Sequence, residues 1–326
     1  MPPRLLALIG PALAAAVVSA VCCALLLRWR DRLPLDAPNA RSLHVRPIPR
    51  AGGLAIWTGF VPVAAWWTQL PGGAFTWMAW AALLVVSVVD DYRGLPAATR
   101  LGVHAGFALL AAWGIGHDGM NGAGVLVVAL VIAWSANLFN FMDGSDGLAA
   151  AMTISGFGAY AAAAGDAHFG PSFAALAAAT VPFAIVNAPR ARMFMGDAGA
   201  VPLGFLAAVC GAWGWLHAVW PLWFPLLVFL PFWGDATVTL MRRAARGERV
   251  WQAHREHYYQ RLNRLGAGHG VTLAIYAALM LGTALSAVLA LRIEPGAGWI
   301  VLIVWCALLA MMFGGIDYHW RRRQSP

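Results

Sequence analysis

Asn137, Asn140, Asp143 and Asp146 recur at every third residue. On a continued helix that spacing lays all four side chains along one stripe. They follow an apolar run, Ala123 to Trp134, long enough to belong to a membrane helix. Amides and carboxylates are costly in hydrocarbon, so such a cluster at a span's end marks a site. A polar helix terminus with an Asp/Gly turn would use the same residues. An EF-hand loop beginning at Asp143 would not, because its twelfth position is Ile154 where a bidentate Glu is required. Further acidic and basic groups stand elsewhere: Asp90-Asp91, Asn187 with Arg190 and Arg192, Met195-Gly196-Asp197, Asp235, and His254-Arg255-Glu256-His257. Each has a plain reading. Asp90-Asp91 suit a solvated helix end, Asp197 an N-cap, His257 an exposed loop and Asp235 an ion pair with Arg242 one or two turns on. Jointly they suit chemistry better. Gathered carboxylates raise one another's pKa unless a cation sits among them. Carboxylate and amide oxygens are ligands of a hard divalent ion, Mg²⁺ where phosphates are handled. Arg and His supply phosphate donors. The combination points to Mg²⁺-assisted phosphoryl transfer.

The elements that must carry these groups are membrane helices. The chain has 326 residues, 61% hydrophobic and only 11% charged, with 17 Trp. No soluble domain of this size hides so much apolar surface, so the fold expected is all-α, a polytopic integral membrane protein. Cys22, Cys23, Cys210 and Cys306 lie in apolar runs without disulfide or metal spacing. The first span runs from about Leu5 to Leu27 and reads as retained rather than as a signal peptide. Others follow at about 51–70, 74–89, 98–115, 123–141, 148–164, 171–186, 199–216, 219–241, 271–291 and 298–314. That makes about eleven transmembrane helices within one domain, 1–326. The net charge of +8 comes from arginine against acid, since the chain has no lysine. Placing Asp31–Arg50 in the cytoplasm puts every Arg except Arg4 and Arg292 on that side, as the positive-inside bias requires. The N-terminus is then outside and the C-terminus cytoplasmic. All the acidic motifs reach the cytoplasmic face, and residues 242–270 form a cytoplasmic loop over them. The basic balance therefore follows the membrane, and no nucleic-acid partner is expected.

In this order the motifs resemble those of the polyprenyl-phosphate N-acetylhexosamine-1-phosphate transferases, nearest the branch that initiates O-antigen chains. The resemblance runs through Pro38-Asn39-Ala40-Arg41-Ser42-Leu43-His44 with Pro47-Ile48-Pro49-Arg50-Ala51-Gly52-Gly53, then Asp90-Asp91. It continues through Asn137 to Ala149, Phe194-Met195-Gly196-Asp197-Ala198-Gly199, and His254 to Leu262. It implies transfer of an N-acetyl-amino-sugar-1-phosphate from a UDP-sugar to undecaprenyl phosphate in the bacterial inner membrane, with the site facing the cytoplasm. UMP would be released, and the product would be the first lipid-linked intermediate of an O-antigen-like surface polysaccharide. Residue by residue, Asp197 matches the Mg²⁺ ligand (Mn²⁺ a possible substitute), Asp90 and Asp91 the catalytic pair, and His257 the essential loop histidine. Asp143 and Asp146 match carboxylates of the nucleotide and metal region, and Asn187 a pocket Asn. Arg50, Asn137, Asn140, Arg192, His254 and Arg255 are expected to bind substrate. The translocase branch that handles peptidoglycan precursors has adjacent histidines where this chain has His257-Tyr258-Tyr259, and a Lys after the Asp pair that is absent here. The partners expected are the UDP-sugar, undecaprenyl phosphate and the lipid bilayer, with a homodimer as the assembly if the chain self-associates.

Such a reaction brings two anions together, which explains the residue types. Mg²⁺ on the pyrophosphate would reduce the repulsion and stabilise departing UMP, with Arg50, Arg93, Arg192 and His257 around the remaining oxygens. A phosphate monoester has a second pKa near 6, so Asp90 or Asp91 need only finish deprotonation or position the nucleophile. Direct attack is the favoured route. In the loop, Arg255, His257 and Arg261 fall at i, i+2 and i+6, so one helical face cannot present all three. His257 is expected to point at the pyrophosphate while Tyr258 or Tyr259 shape the sugar pocket. A polytopic transporter or flippase of lipid-linked sugars is the rival reading, but transporter sites lie near the bilayer midplane at broken helices. An intramembrane aspartyl protease would leave Asn137, Asn140 and the His loop without a role.

Overall fold

The computed structural model describes residues 3–36, 46–67, 71–164, 169–250, 252 and 254–324. The motif Pro38 to His44 and the connection Gly165-Asp166 lie outside the described residues. In chain order the helices are α1 (Pro3–Arg28), α2 (Gly52–Trp67), α3 (Gly73–Arg93), α4 (Ala97–Gly116), α5 (Gly122–Met142), α6 (Leu148–Ala164) and α7 (Gly170–Asn187). They continue as α8 (Asp197–Leu216), α9 (Trp223–Val228), α10 (Leu230–Ala245), α11 (Tyr258–Leu262), α12 (Gly268–Ile293) and α13 (Gly298–Gln324). Two short strands, β1 (Leu35–Asp36) and β2 (Ile48–Pro49), pair antiparallel. Seven helices among the described residues are long and apolar enough to cross a membrane, and α2 and α6 are shorter apolar ones. The protein is an all-α polytopic membrane protein. Helices suit this setting because each satisfies its own backbone hydrogen bonds where no water can.

Most helix boundaries fall within a few residues of the hydropathy spans, with two instructive exceptions. The span read over 219–241 is two helices, α9 and α10, parted at Phe229. Pro225 and Pro231 flank the break, and proline removes the donor that an uninterrupted helix would need there. The last span extends well past 314, because α13 continues as a polar helix to Gln324 and carries Asp317 and Arg321 to Arg323. The 242–270 region is likewise not all loop: its first residues finish α10, and α11 with a short π-turn at Asn263–Ala267 leads into α12.

α8 is the central helix, buried on almost every face from Ala198 to Gly214. Small residues let neighbours approach it closely, as membrane helix packing requires in place of a hydrophobic driving force. A Cβ on Gly53 of α2 would stand 2.4 Å from the Gly199 backbone, and one on Gly204 would stand 2.4 Å from the Ser135 carbonyl of α5. Ser135 also donates its hydroxyl to that Gly204 carbonyl at 2.8 Å. Toward the other end of α8, Tyr160 donates to the Ala207 carbonyl at 3.0 Å, and its ring stacks on Trp220 with centroids 4.8 Å apart. α8 is thus pinned along its length, which fixes where its N-terminal residue, Asp197, must stand.

The α2–α8 contact is testable. Gly53→Ala should cost about 1–3 kcal/mol, because the obstructing atoms are backbone and cannot swing away. The readout is a lower melting temperature of purified protein in detergent. Gly106→Ala is the control: its Cβ meets nothing within 4 Å, and alanine is the better helix former. If Gly53→Ala melts as high as that control, the close approach of α2 and α8 is wrong.

Candidate active site

Asp91, at the last turn of α3, accepts the backbone N–H groups of Asp197 at 3.1 Å and Ala198 at 3.0 Å. A carboxylate from one helix therefore caps another, satisfying donors that a helix start leaves open and meeting the positive end of its dipole. Gly196 makes the approach possible. Its φ of 76° suits glycine, and a Cβ there would lie 2.8 Å from an Asp91 oxygen. Asp197 itself is the first residue of α8 rather than its N-cap, and its side chain is free to face a cleft.

That cleft, about 470 Å³, gathers residues from five parts of the chain. Asp90 accepts from Arg100 Nη1 at 3.0 Å, and the same nitrogen lies 3.3 Å from Asp197 Oδ2. One guanidinium nitrogen of α4 thus sits between two carboxylates from α3 and α8. Asn140 Nδ2 donates to Asp197 at 3.2 Å. Arg50 enters because Phe194 donates its N–H to the Pro49 carbonyl while Gly52 and Gly53 donate to Phe194 and Met195. It pairs with Asp36 at 2.6 Å and lies 4.0 Å from Asp91. Asp143 completes the acidic floor. Desolvation, with Asp197 and Asp91 adding repulsion, pushes its carboxyl well above the ordinary range.

The four-residue stripe is only partly realised, because α5 ends at Met142 and Asp143 is its C-cap. Asn140 and Asp143 reach the cleft. Asn137 turns to α4 instead, with His104 at 3.2 Å and its own amide on the Ala133 carbonyl. Asp146 accepts the Ala191 N–H at 3.1 Å and lies 3.3 Å from His269 Nδ1, where α12 begins. Asn187 accepts from Gly147 at 2.8 Å and donates to Met193 at 2.9 Å. It borders the cleft, yet both ends of its amide brace the loops that carry Asp146 and Asp197.

His257 caps α11 and lines the same cleft beside Tyr259 and Gln260. Its ring stacks between Tyr259, 5.8 Å away, and Phe141, 6.1 Å away. His254 sits 4.8 Å from it, centroid to centroid. Burial, reinforced by His257 and Arg243, pushes the His254 imidazole down to about 3, so it is neutral in the working pH range. Asp235 does not pair with Arg242. Its carboxylate accepts from the backbone of Tyr258 and Tyr259, while Arg242 pairs with Asp317 and the Tyr258 hydroxyl. The reason is local: the Asp235 side chain points into the bundle, whereas Arg242 lies on the flank that faces α13. Tyr258 is also away from the cleft, stacked on Phe313 with centroids 3.9 Å apart.

Arg93 and Arg255 do not line the cleft. Arg192 lines a second cavity of about 1020 Å³ with Arg46 and Arg190, beyond Asp146 and His269. Arg100 and His269 are cleft residues that lie outside the sequence motifs, and Gln260 is one that lies within a motif but was given no role. Arg100 had one usable signal, as the first basic residue of the span that follows the Asp pair. His269 had none, being a lone histidine in a glycine-rich turn.

The donor set fits a divalent ion shared with a ligand. Among the described residues no group of three acidic, His or Cys side chains forms a ready cage. Asp90 and Asp197 nevertheless present carboxylate oxygens to one cationic nitrogen, with the Asn140 amide beside Asp197. Mg²⁺ is commonly held in this way, by one or two carboxylates with substrate phosphates and waters completing the shell.

The two adjacent aspartates should separate experimentally. Asp91→Ala removes the α8 cap and should cost about 0.5–2 kcal/mol of stability. Asp90→Asn keeps an acceptor for the Leu95 N–H and should lower turnover with little change in melting temperature. Equal loss of thermal stability in the two variants would refute this split.

Comparison with known proteins extends the match beyond the cleft. Residues 74–214 match the family model described as Glycosyl transferase family 4. Over 328 residues the chain is 30% identical to decaprenyl-phosphate N-acetylglucosaminephosphotransferase of Mycobacterium leprae, covering 85% of this chain and 81% of that protein. It is 28% identical over 315 residues to undecaprenyl-phosphate alpha-N-acetylglucosaminyl 1-phosphate transferase of Yersinia pestis, covering 88% and 85%. A probable undecaprenyl-phosphate N-acetylglucosaminyl 1-phosphate transferase of Bacillus subtilis is 26% identical over 300 residues, covering 85% and 82%. With Asp90, Asp143, Asp197 and His257 brought to one cleft, the chain belongs to the polyprenyl-phosphate N-acetylhexosamine-1-phosphate transferases of glycosyl transferase family 4.

Proposed function

We propose that this protein transfers an N-acetyl-amino-sugar-1-phosphate from a UDP-sugar to undecaprenyl phosphate, releasing UMP. The observation that carries this reading is the acidic floor bridged by a cation, Asp90–Arg100–Asp197, with His257 and His254 lining the same cleft. An oxygen of the lipid phosphate attacks the β-phosphorus of the UDP-sugar. The bond from that phosphorus to the bridging oxygen breaks, and its electron pair leaves with UMP. Arg100 and Arg50 lower the repulsion between the two anions, as guanidinium groups do for phosphates. Asp91 gives both oxygens to the α8 backbone, whereas Asp90 gives one to the Leu95 N–H and turns the other to Arg100. Asp90 is therefore the member of the pair that positions the lipid phosphate or takes its last proton. At neutral pH that proton is mostly gone, and direct attack needs no phosphorylated enzyme. Bound Mg²⁺ would supply Lewis-acid stabilisation of the pyrophosphate charge, held by Asp197 with Asp90 and Asn140.

The same reading sets the protein in a bacterial cytoplasmic membrane, crossing it about eleven times, with the cleft toward the cytoplasm where the arginines concentrate. The product would begin an O-antigen-like surface polysaccharide. The decisive measurement is UMP release from UDP-N-acetylglucosamine and a 6-deoxy analogue, with undecaprenyl phosphate in detergent. Absence of release from every UDP-N-acetyl-amino-sugar would sink the proposal.

Asp197→Asn should remain folded and lose turnover on the order of 10²-fold or more, since a neutral amide replaces charge aimed at the reacting phosphates. A chelator should abolish activity, Mg²⁺ should restore it, and Mn²⁺ should restore part of it. Full turnover by purified Asp197→Asn would refute the metal-ligand assignment.

A further inference from the structure

Asp235 is fully buried in α10, and among the described residues no arginine is paired with it. Its oxygens accept the N–H groups of Tyr258 at 2.8 Å and Tyr259 at 2.9 Å, and the hydroxyls of Tyr276 at 2.6 Å and Thr239 at 3.2 Å. Four neutral donors satisfy a carboxylate but do not neutralise it, and a buried charge costs several kcal/mol. A neutral Asn or Ser would cap α11 at less cost. The charge therefore calls for a second explanation. The group that offers one is His257, whose Nδ1 lies 3.4 Å from Asp235 Oδ1. That nitrogen is buried and, among the described residues, makes no settled hydrogen bond. The ring is only 2% exposed, and what remains uncovered faces the cleft.

We infer that Asp235 is a positioning residue for His257. It holds the imidazole by Nδ1 from behind, so that Nε2 is presented to the cleft, and its charge stabilises the ring when Nε2 donates to phosphate oxygens. A buried carboxylate behind a working imidazole fixes tautomer and orientation in just this sense. The separation of 3.4 Å is longer than a settled hydrogen bond, and such pairs tighten when substrate loads. The backbone bonds serve the same end: by gripping Tyr258 and Tyr259, Asp235 sets the start of α11 and with it the Cα of His257. The inference rests on the proposed role of His257 at the pyrophosphate.

The test is a double-mutant cycle on UMP release, with kcat and KM measured for wild type, Asp235→Asn, His257→Ala and the double variant. Asp235→Asn should lower kcat by roughly 10–100-fold, as loss of an orienting partner does, and leave KM for the UDP-sugar within about threefold. In the His257→Ala background the same change should cost less than about twofold, because groups acting as a unit are not additive. If it costs the same factor in both backgrounds, or acts through KM, Asp235 is structural and the inference fails. If His257→Ala alone keeps wild-type turnover, the reading of His257 falls and takes the inference with it. Melting temperatures in detergent accompany each variant. Should Asp235→Asn not yield folded protein, Asp235→Glu replaces it in the cycle, keeping the charge but displacing it, with the same non-additivity expected.

Discussion

The carboxylate of Asp91 on the backbone of Asp197 and Ala198 is the contact on which the site depends. A central, buried helix has N–H groups at its start that water cannot reach, and each left open costs free energy. Meeting them with a carboxylate from α3 satisfies two donors and places negative charge at the positive end of the α8 dipole. The consequence is geometric. Once Asp91 is docked on α8, its neighbour Asp90 must stand beside Asp197, and the two share Arg100. Both aspartates line the cleft, Asp91 with its oxygens on the α8 backbone and Asp90 turned to Arg100.

The rest of the floor is assembled by short segments that grip one another's backbone groups. Residues 49–53 lie against Phe194 and Met195, which carries Arg50 to the acidic cluster and brings α2 onto α8. Asn187 ties the turn after α5 to the segment before α8. Chemistry-bearing side chains are thereby placed by residues that do no chemistry, as precise positioning of reacting groups requires.

The α11 side of the cleft obeys a different logic. α11 and the preceding loop are held by charge: Arg243, Arg246 and Arg261 converge on Glu256, and Arg242 and Arg261 on Asp317 of α13. The Arg246–Glu256 pair is partly exposed and by itself contributes little, whereas Arg243 and Arg261 are buried and would be costly to leave unpaired. Their value is collective, in fixing a short helix that could not stand alone. The long polar extension of α13 has its reason here, since it delivers Asp317.

Membrane character, the helix spans to within a few residues, and the segments that would meet in a site were all determined by the sequence alone. Hydrocarbon tolerates only long apolar helices, and a carboxylate at a span's end stands out against so apolar a background. Asn140, Asp143, Asp197 and His257 were legible for that reason. Tertiary structure decided which motif residues face the cleft and which build it. Asn137, Asn187 and Asp91 look in sequence like their working neighbours, yet Asn137 is held by Ala133 and His104, while the Asn187 amide and the Asp91 carboxylate are spent on backbone groups. His269 and the true partners of Asp235 were illegible, because each meets residues well away in the chain, and Arg100 offered only its place after the Asp pair. Spacing along one helix reports only what shares its face, and the cleft forms where several helices end.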